Sequence, residues 1–536
     1  MLHIKKITEI KDVFKLYRYV QAHYPSTALL ESLGNYDKDV SHYSIMGIIA
    51  EKQLFEKDDN FYIKSFESNS IDVTENWLET VDEWCGSLGK SSTPFQTGAI
   101  GYIGYEMHRC FEFVPNSEKF KSPMPKICLT KYSLIYVYDR ENSSAYWVSD
   151  KNMDNEIEKI EKAFYSYVPA NDTFYTFGDT EKDFTPENYL ESIRKCIHHI
   201  EIGDMLQANI TMRFHGNFMG NPIILYEALR NSTPNPFFAY FDFEHPLIST
   251  SPESFLHIAD NTITSRPIKG TVRTEIDGND QITFLEQNAK NCSENVMITD
   301  LIRNDIGRVS QIGTVDVPVL CGTKKFNQIY HLETVVNGTL KDDIKLSDIL
   351  KSNFPGGSIT GAPKVKAMEI IDNLEFAERG PYCGALGFFG SEGFVSTSIG
   401  IRLIYFCDNT YYLHAGGGIV VKSDPQDEYE ELLLKVESLI NTLNRFDILA
   451  SYREELNIIN ADLLRIISRR VEVVKQISKI KQDHKIPIIQ EDRMKKILAS
   501  AYKQNADEEL NIPETLIEGL LKVIFDESMK LEEIAH

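Results

Sequence analysis

The glycines of this chain all but cease near residue 446. Of 30 in 536 residues, only Gly519 lies beyond that point. Glycine and proline punctuate turns and strand ends, so their loss marks a change of architecture. Past it, Leu456, Ile459, Leu463, Ile466, Val473, Ile477 and Ile480 recur at three-four spacing. That pattern lays an apolar stripe along one helix of about 30 residues, about 45 Å long. A domain of about ninety residues does not bury so long a helix alone, so the expectation is pairing with another chain. The sequence thus divides into an α+β domain, residues 1–445, and an all-α domain, residues 446–536.

Arg470 occupies the slot between Ile466 and Val473 in that stripe. A cation in an apolar seam either sets register in a bundle or reaches into an internal pocket for a carboxylate. Lys481 follows three turns on, near the same face, and Arg493 follows the turn at Pro487. Three cations at one seam of a chain with formal charge −23 favour the pocket. The same charge, with a pI near 5.1, argues against nucleic-acid and acidic-membrane partners. No apolar run approaches the roughly 20 residues that span a bilayer, and Met1–Lys6 lacks the apolar core of a secretion signal. Eight cysteines without a C-x-x-C pair fit reduced thiols in a cytoplasm.

In the first domain, Leu134–Tyr138 and Tyr146–Val148 read as strands, and Gly98, Gly101 and Gly104 punctuate another. A helix begins at Thr185-Pro186-Glu187, with Thr185 as N-cap, and stops at Gly203. Residues 204–214 alternate as a strand. A second helix covers about 281–305, with Ala289, Cys292, Val296 and Met297 on one face and Glu294 on another. Pro267 and Gly270 flank Lys269 and place it at a strand end. Phe354–Lys364 holds too much Gly and Pro for regular structure. Gly416, Gly417 and Gly418 close a strand, and the helix after it carries Glu428 and Glu431 on one face. Such a pair is a solvated acidic face unless a third carboxylate joins it. With Glu294 the set suits Mg²⁺, a hard cation that takes few protein oxygens and shares a polyanionic ligand.

Residues 1–445 resemble the chorismate-utilising synthase family. The resemblance rests on Leu29-Leu30-Glu31-Ser32, Gly203-Asp204 with Gln207, Ser251-Pro252-Glu253, Pro267–Thr271, Ser293–Met297, Asp300–Asp305, the 354–364 loop, Ile401-Arg402, and Ala415–Glu431, all in the family's order. It implies a two-lobed β-sandwich core with surrounding helices. Members that add water carry a lysine where this chain has Gln207. Members that make anthranilate usually read Pro-Ile-Ala-Gly-Thr where this chain has Pro267-Ile268-Lys269-Gly270-Thr271. The aminodeoxychorismate-forming members read Pro-Ile-Lys-Gly-Thr and share Glu294-Asn295 and the 354–364 sequence.

That resemblance implies chemistry at the ring of chorismate. Lys269 attacks C2 as a free amine while the C4 hydroxyl leaves, and Glu253 donates the proton. Ammonia then adds at C4 and expels Lys269. Mg²⁺ on Glu294, Glu428 and Glu431 binds the ring carboxylate. Gln207, Thr271, Thr360, Tyr382, Arg402, Lys435 and the Gly416–Gly418 amides match substrate positions, and His331 matches the family's active-site histidine. Asn291 and Ser396 depart from acids usual in relatives. Ammonia is expected from a separate glutamine amidotransferase subunit. Ser32 and the Asn231–Phe237 segment match a regulatory amino-acid pocket.

Residues 446–536 resemble the all-α chorismate mutases, which are intertwined helical dimers, so a homodimer is implied. Arg453, Arg470, Lys481, Arg493 and Ser528 match that family's substrate positions. The arginines clamp the two carboxylates and Lys481 the ether oxygen, which suffices for a rearrangement that needs only conformer selection and charge stabilisation. Gln490 and Met494 replace acids near the C4 hydroxyl, and Glu532 stands where many relatives have glutamine at the ether oxygen. Two readings follow: the C4 pocket is re-cut for a 4-amino group, or mutase activity is lost. A protonated Glu532 donating to the ether predicts turnover rising toward acid pH. The expected enzyme makes 4-amino-4-deoxychorismate and rearranges it to 4-amino-4-deoxyprephenate. Open alternatives are a 4-aminobenzoate or anthranilate-type synthase with a plain mutase or dimerising tail, and a non-catalytic amino-acid sensor.

Overall fold

A computed structural model describes residues 2–7, 10–34, 41–115, 117–273, 289–326, 329–486 and 491–534. It contains two compact units, Met1–Asp447 and Ile448–His536.

The first unit is a mixed α/β body on a large antiparallel sheet. Two hydrophobic clusters fill it, one around Ile100, Tyr102, Ile135 and Phe388, the other around Tyr17, Trp147, Tyr189 and Phe214. Strand Tyr43–Lys57 lies along Ile127–Asp139. Strand Gln207–Gly220 lies along Thr410–Ile419, with Ala208 opposite Ile419 and Asn209 opposite Gly418. These strands are buried along most of their length, as strands covered on both faces are.

The helix at Pro186–Glu201 forms for the reasons its sequence gives. Thr185 caps it, Asn188 completes a capping box, and Pro186 sits where no N–H is needed. The helix Pro425–Asn444 starts the same way, with Asp424 accepting from the Gln426 and Asp427 amides.

Three local expectations are corrected. Lys269 is not at a strand end: Pro267 divides Thr262–Arg266 from Ile268–Arg273, and Lys269 is the second residue of the new strand. The prolyl nitrogen has no proton for the ladder, so pairing restarts beyond it. The described helix is Ala289–Val309, and residues 281–288 lie outside the described residues. Its buried face holds Glu294, Asn295, Ile298, Ile302 and Ile306, while Val296 is exposed. The glycine- and proline-rich loop is partly regular, with a 3-10 turn Gly357–Ile359 and a short strand Gly361–Ala362.

The second unit contains helices Ala450–His484, Glu491–Asp507 and Glu514–Ile534. The first has 35 residues, about 50 Å at 1.5 Å per residue. Its seam residues Leu456, Ile459, Leu463, Ile466, Val473, Ile477 and Ile480 are all exposed.

Candidate active site

Strands Thr262–Arg266 and Ile268–Arg273 both pair with Ile329–Thr339. Lys269 stands opposite Leu332, the register shifts at Gly270, and Thr271 stands opposite His331. Such an irregularity re-aims the flanking side chains. Lys269 Nζ donates to the carbonyl of Ser358 at 3.3 Å.

Glu253 lies between strands Leu247–Ser251 and Ser254–Ala259. Its amide donates to Ser251 Oγ at 3.2 Å, and its carbonyl accepts from the Ile399 amide at 3.1 Å. The side chain is buried. Burial pushes its carboxyl up to about 7, against the opposing effects of the Ser358 hydroxyl, the Lys269 charge and the Ile268 amide. A carboxyl in that range keeps a proton near neutrality and can give it up there.

The three glycines leave room for charge. A Cβ on Gly418 would stand 3.6 Å from both Lys269 Nζ and Glu294 Oε2. A Cβ on Gly417 would stand 3.2 Å from Glu428 Oε2 and 3.7 Å from Lys435 Nζ. Successive residues of a strand face opposite ways, so Lys269 and Glu294 approach one face of this run and Glu428 and Lys435 the other. Gly416 is closed by the backbone, with Ile210 O 2.5 Å from a Cβ there. Asn209 pairs with Gly418 and so shares its face, as does Gln207 two residues earlier. Gln207 is buried, and its Oε1 has no hydrogen-bond partner among the described residues.

Glu294 and Glu428 are buried carboxylates, a donor type that suits a hard cation. Glu428 accepts from Ser423 Oγ at 2.6 Å, and Glu431 pairs with Lys435 at 2.6 Å on the exposed side of its helix. Among the described residues, no group of three His, Cys, Asp or Glu is placed to hold a metal ion. The donor chemistry fits Mg²⁺, but this arrangement does not assemble the three carboxylates.

Lys435 Nζ donates to Gly416 O at 3.0 Å. Thr360 Oγ1 donates to Gly356 O at 2.9 Å, so it staples the loop, and Thr360 O accepts from the Asn209 amide at 2.7 Å. The Tyr382 ring stacks on His414, 5.0 Å between centroids. Arg402 has a left-handed backbone, φ 50°, and its carbonyl accepts from both the amide and hydroxyl of Thr250 at 3.0 Å. His331 is buried within its strand. The Thr271 side chain lies outside the described residues.

A supporting network escaped the sequence reading. Fully buried Arg379 donates through Nε and Nη2 to Glu375 at 2.9 and 2.7 Å, through Nη1 to Ile359 O at 2.8 Å, and through Nη2 to Asn209 O at 2.7 Å. Glu375 in turn accepts from the Thr211 amide at 2.8 Å. Glu106 accepts from the Arg379 and Gly380 amides at 2.8 and 2.9 Å, and burial raises it to about 7. The only sequence signal was Glu375 and Arg379 four residues apart, just past the end of helix Lys364–Leu374. That spacing normally reads as a surface pair.

Ser32 ends the Ala28–Glu31 strand, buried, and its carbonyl accepts from Arg140 at 2.6 Å. Its neighbours Leu30 and Glu31 line a cavity of about 70 Å³ with Pro236, Phe237, His257 and Ser396. In the second unit, Arg470 Nη1 donates to Ser528 Oγ at 2.6 Å, joining helices Ala450–His484 and Glu514–Ile534. Partial burial lowers the Arg470 pKa. Arg453 and Lys481 are half-buried and Arg493 is exposed. The Glu532 side chain and Gln490 lie outside the described residues.

The large antiparallel sheet and the three helices beyond it are the fold expected of a chorismate-utilising synthase followed by a mutase-type unit. The comparisons bear this out. Residues 38–441 match the family of chorismate binding enzymes, and residues 452–533 match chorismate mutase type II. The chain belongs to the chorismate binding enzyme family and carries a chorismate mutase domain at its C-terminal side. It is 35% identical over 356 residues to aminodeoxychorismate synthase component 1 of Escherichia coli, covering 66% of this chain and 78% of that one. It is 30% identical over 431 residues to anthranilate synthase component 1 of Thermus thermophilus, covering 78% and 92%. Among solved structures, anthranilate synthase component I of Streptococcus pneumoniae superposes with a TM-score of 0.67 at 27% identity, covering 75% and 92%.

Proposed function

We propose that the first domain aminates chorismate at C4, with Lys269 as covalent nucleophile and Glu253 as proton donor. The observation that carries this is a lysine amine and a buried carboxyl raised to about 7 brought to the same serine, Lys269 bonded to the Ser358 carbonyl and Glu253 in the cavity wall that Ser358 shares. The Lys269 amine forms a bond to C2 as both ring double bonds shift, C1=C2 to C6=C1 and C5=C6 to C4=C5, and the C4–O bond breaks. Glu253 supplies the proton, and the hydroxyl departs as water. Ammonia then bonds to C4, the shift reverses, the C2–N bond breaks, and Lys269 leaves as an amine. Buried Gln207, on the Lys269 face, is uncharged and cannot serve as the base that a water nucleophile requires. That favours amination.

The mutase domain then rearranges 4-amino-4-deoxychorismate to 4-amino-4-deoxyprephenate. A plain mutase acting on chorismate is the second reading, favoured by the Arg470–Ser528 contact at matched positions. Relatives named as components 1 support a separate glutamine amidotransferase as the ammonia source. Mg²⁺ dependence rests on the donor chemistry of Glu294, Glu428 and Glu431, and no step is routed through the ion. A second copy of this chain is the partner proposed for the exposed stripe of the long helix.

The test is chorismate consumption with ammonium by the wild type and by Lys269→Ala. The variant should lose at least about a thousandfold in rate, as removal of a covalent nucleophile does. Consumption at the wild-type rate would end the covalent reading.

A further inference from the structure

Glu253 and Lys269 reach the site on different strands, and Ser358 touches both. Its carbonyl accepts from Lys269 Nζ at 3.3 Å, and its hydroxyl lies beside the Glu253 carboxyl in the wall of the cavity that both line. Ser358 is buried in the turn Gly357–Ile359. That turn is pinned on the next two residues: Ile359 O by Arg379 at 2.8 Å, and Thr360 O by the Asn209 amide at 2.7 Å. Before it, a Cβ on Gly357 would meet Leu301 at 2.9 Å, so the backbone there is packed against the Ala289–Val309 helix.

We propose that Ser358 is the positioning residue of the catalytic pair, directing the Lys269 amine with its carbonyl and holding the Glu253 carboxyl with its hydroxyl. The inference rests on the reading of Lys269 as nucleophile and Glu253 as proton donor. A hydroxyl that donates to a carboxyl favours its charged form. Ser358 therefore restrains the rise that burial imposes on Glu253 and keeps the acid in the range where proton transfer is efficient. The other groups facing Glu253 are the Lys269 side chain and the Ile268 amide. Asp305, in the same wall, is paired with Lys364 at 2.6 Å. Replacing Ser358 removes the hydroxyl without deleting any of these charges.

The experiment measures kcat and KM for chorismate from about pH 6 to 9 at a fixed concentration of free ammonia. Ser358→Ala should lower kcat by about 10- to 100-fold with KM changed by less than about 2-fold. The alkaline limb of its kcat profile should move to higher pH, because Glu253 then holds its proton longer. Ser358→Thr, which keeps the hydroxyl, should leave that limb in place. An unchanged kcat and limb in Ser358→Ala would overturn the proposal, as would the same displacement in both variants. Should Ser358→Ala not fold, Ser358→Cys, a weak donor, gives the same readings. Lys269→Ala assayed alongside separates the two levels. If it aminates normally, the covalent reading and the Ser358 role both fail. If it is inactive while Ser358→Ala is unaffected, only the Ser358 role fails.

Discussion

At Glu253, burial outweighs three opposing interactions, and the consequence extends to folding. An ordinary glutamate loses its proton near 4.5, whereas this one is raised to about 7, as is Glu106. Between those values the folded chain holds protons that the unfolded chain has released. Stability contributed in this way is present at low pH and declines as pH rises from about 4.5 to about 7. Glu253→Gln cannot ionise, so from about pH 5 to 8 the variant should gain on the wild type by on the order of 1–3 kcal/mol. Urea unfolding at both pH values checks this, and a difference independent of pH would contradict the burial argument. Glu253 was singled out through the Ser-Pro-Glu sequence, and its burial was not legible there. Its neighbour Ser358 was not singled out, because a serine in a loop signals nothing until the backbone brings it beneath a lysine.

At the scale of elements, the glycine run and the Arg379 clamp behave differently under substitution. Gly418→Ala adds a methyl at ordinary contact distance, 3.6 Å from Lys269 Nζ and Glu294 Oε2. It should leave the melting temperature within about 2 °C while raising KM for chorismate severalfold, since the methyl takes space beside Lys269. Gly416→Ala instead meets backbone at 2.5 Å and should destabilise the fold. Calorimetry with steady-state kinetics distinguishes the two. Equal melting losses would contradict the assignment of Gly418 to the site. The Arg379–Glu375 pair is 1% and 2% exposed. Arg379→Ala leaves a buried carboxylate without its cation and should cost about 3–5 kcal/mol in urea unfolding. A loss below about 1 kcal/mol would mean the clamp is dispensable. Strand and helix positions were readable where local chemistry decides them, as at Thr185-Pro186. Lys269 was misplaced by the proline beside it, because the sequence does not show that two strands on either side of Pro267 share one partner. The Arg379 network was invisible for a related reason. Besides Glu375, its acceptors are the backbone carbonyls of residues 209 and 359, which leave no mark on composition or periodicity.

At the scale of the whole molecule, the near loss of glycine after residue 446 and the compact units Met1–Asp447 and Ile448–His536 describe a chain in two parts. The apolar stripe on the long helix was fully legible, and it stands exposed along about 50 Å of helix. Sedimentation should find the full chain dimeric and a chain ending at Asp447 monomeric, with amination retained in the shorter chain. A monomeric full chain would leave the stripe without its proposed partner. What the sequence could not supply is the mutase substrate, since the departures at Gln490, Met494 and Glu532 admit chorismate and its 4-amino counterpart alike.

The most direct measurement is mass spectrometry of the products formed from chorismate, Mg²⁺ and ammonium by the purified full chain at mildly alkaline pH. The account predicts 4-amino-4-deoxyprephenate, or its aromatised descendant, with 4-amino-4-deoxychorismate preceding it in time. Prephenate without any aminated product would contradict it, because Lys269 and Glu253 would then have no amination to perform.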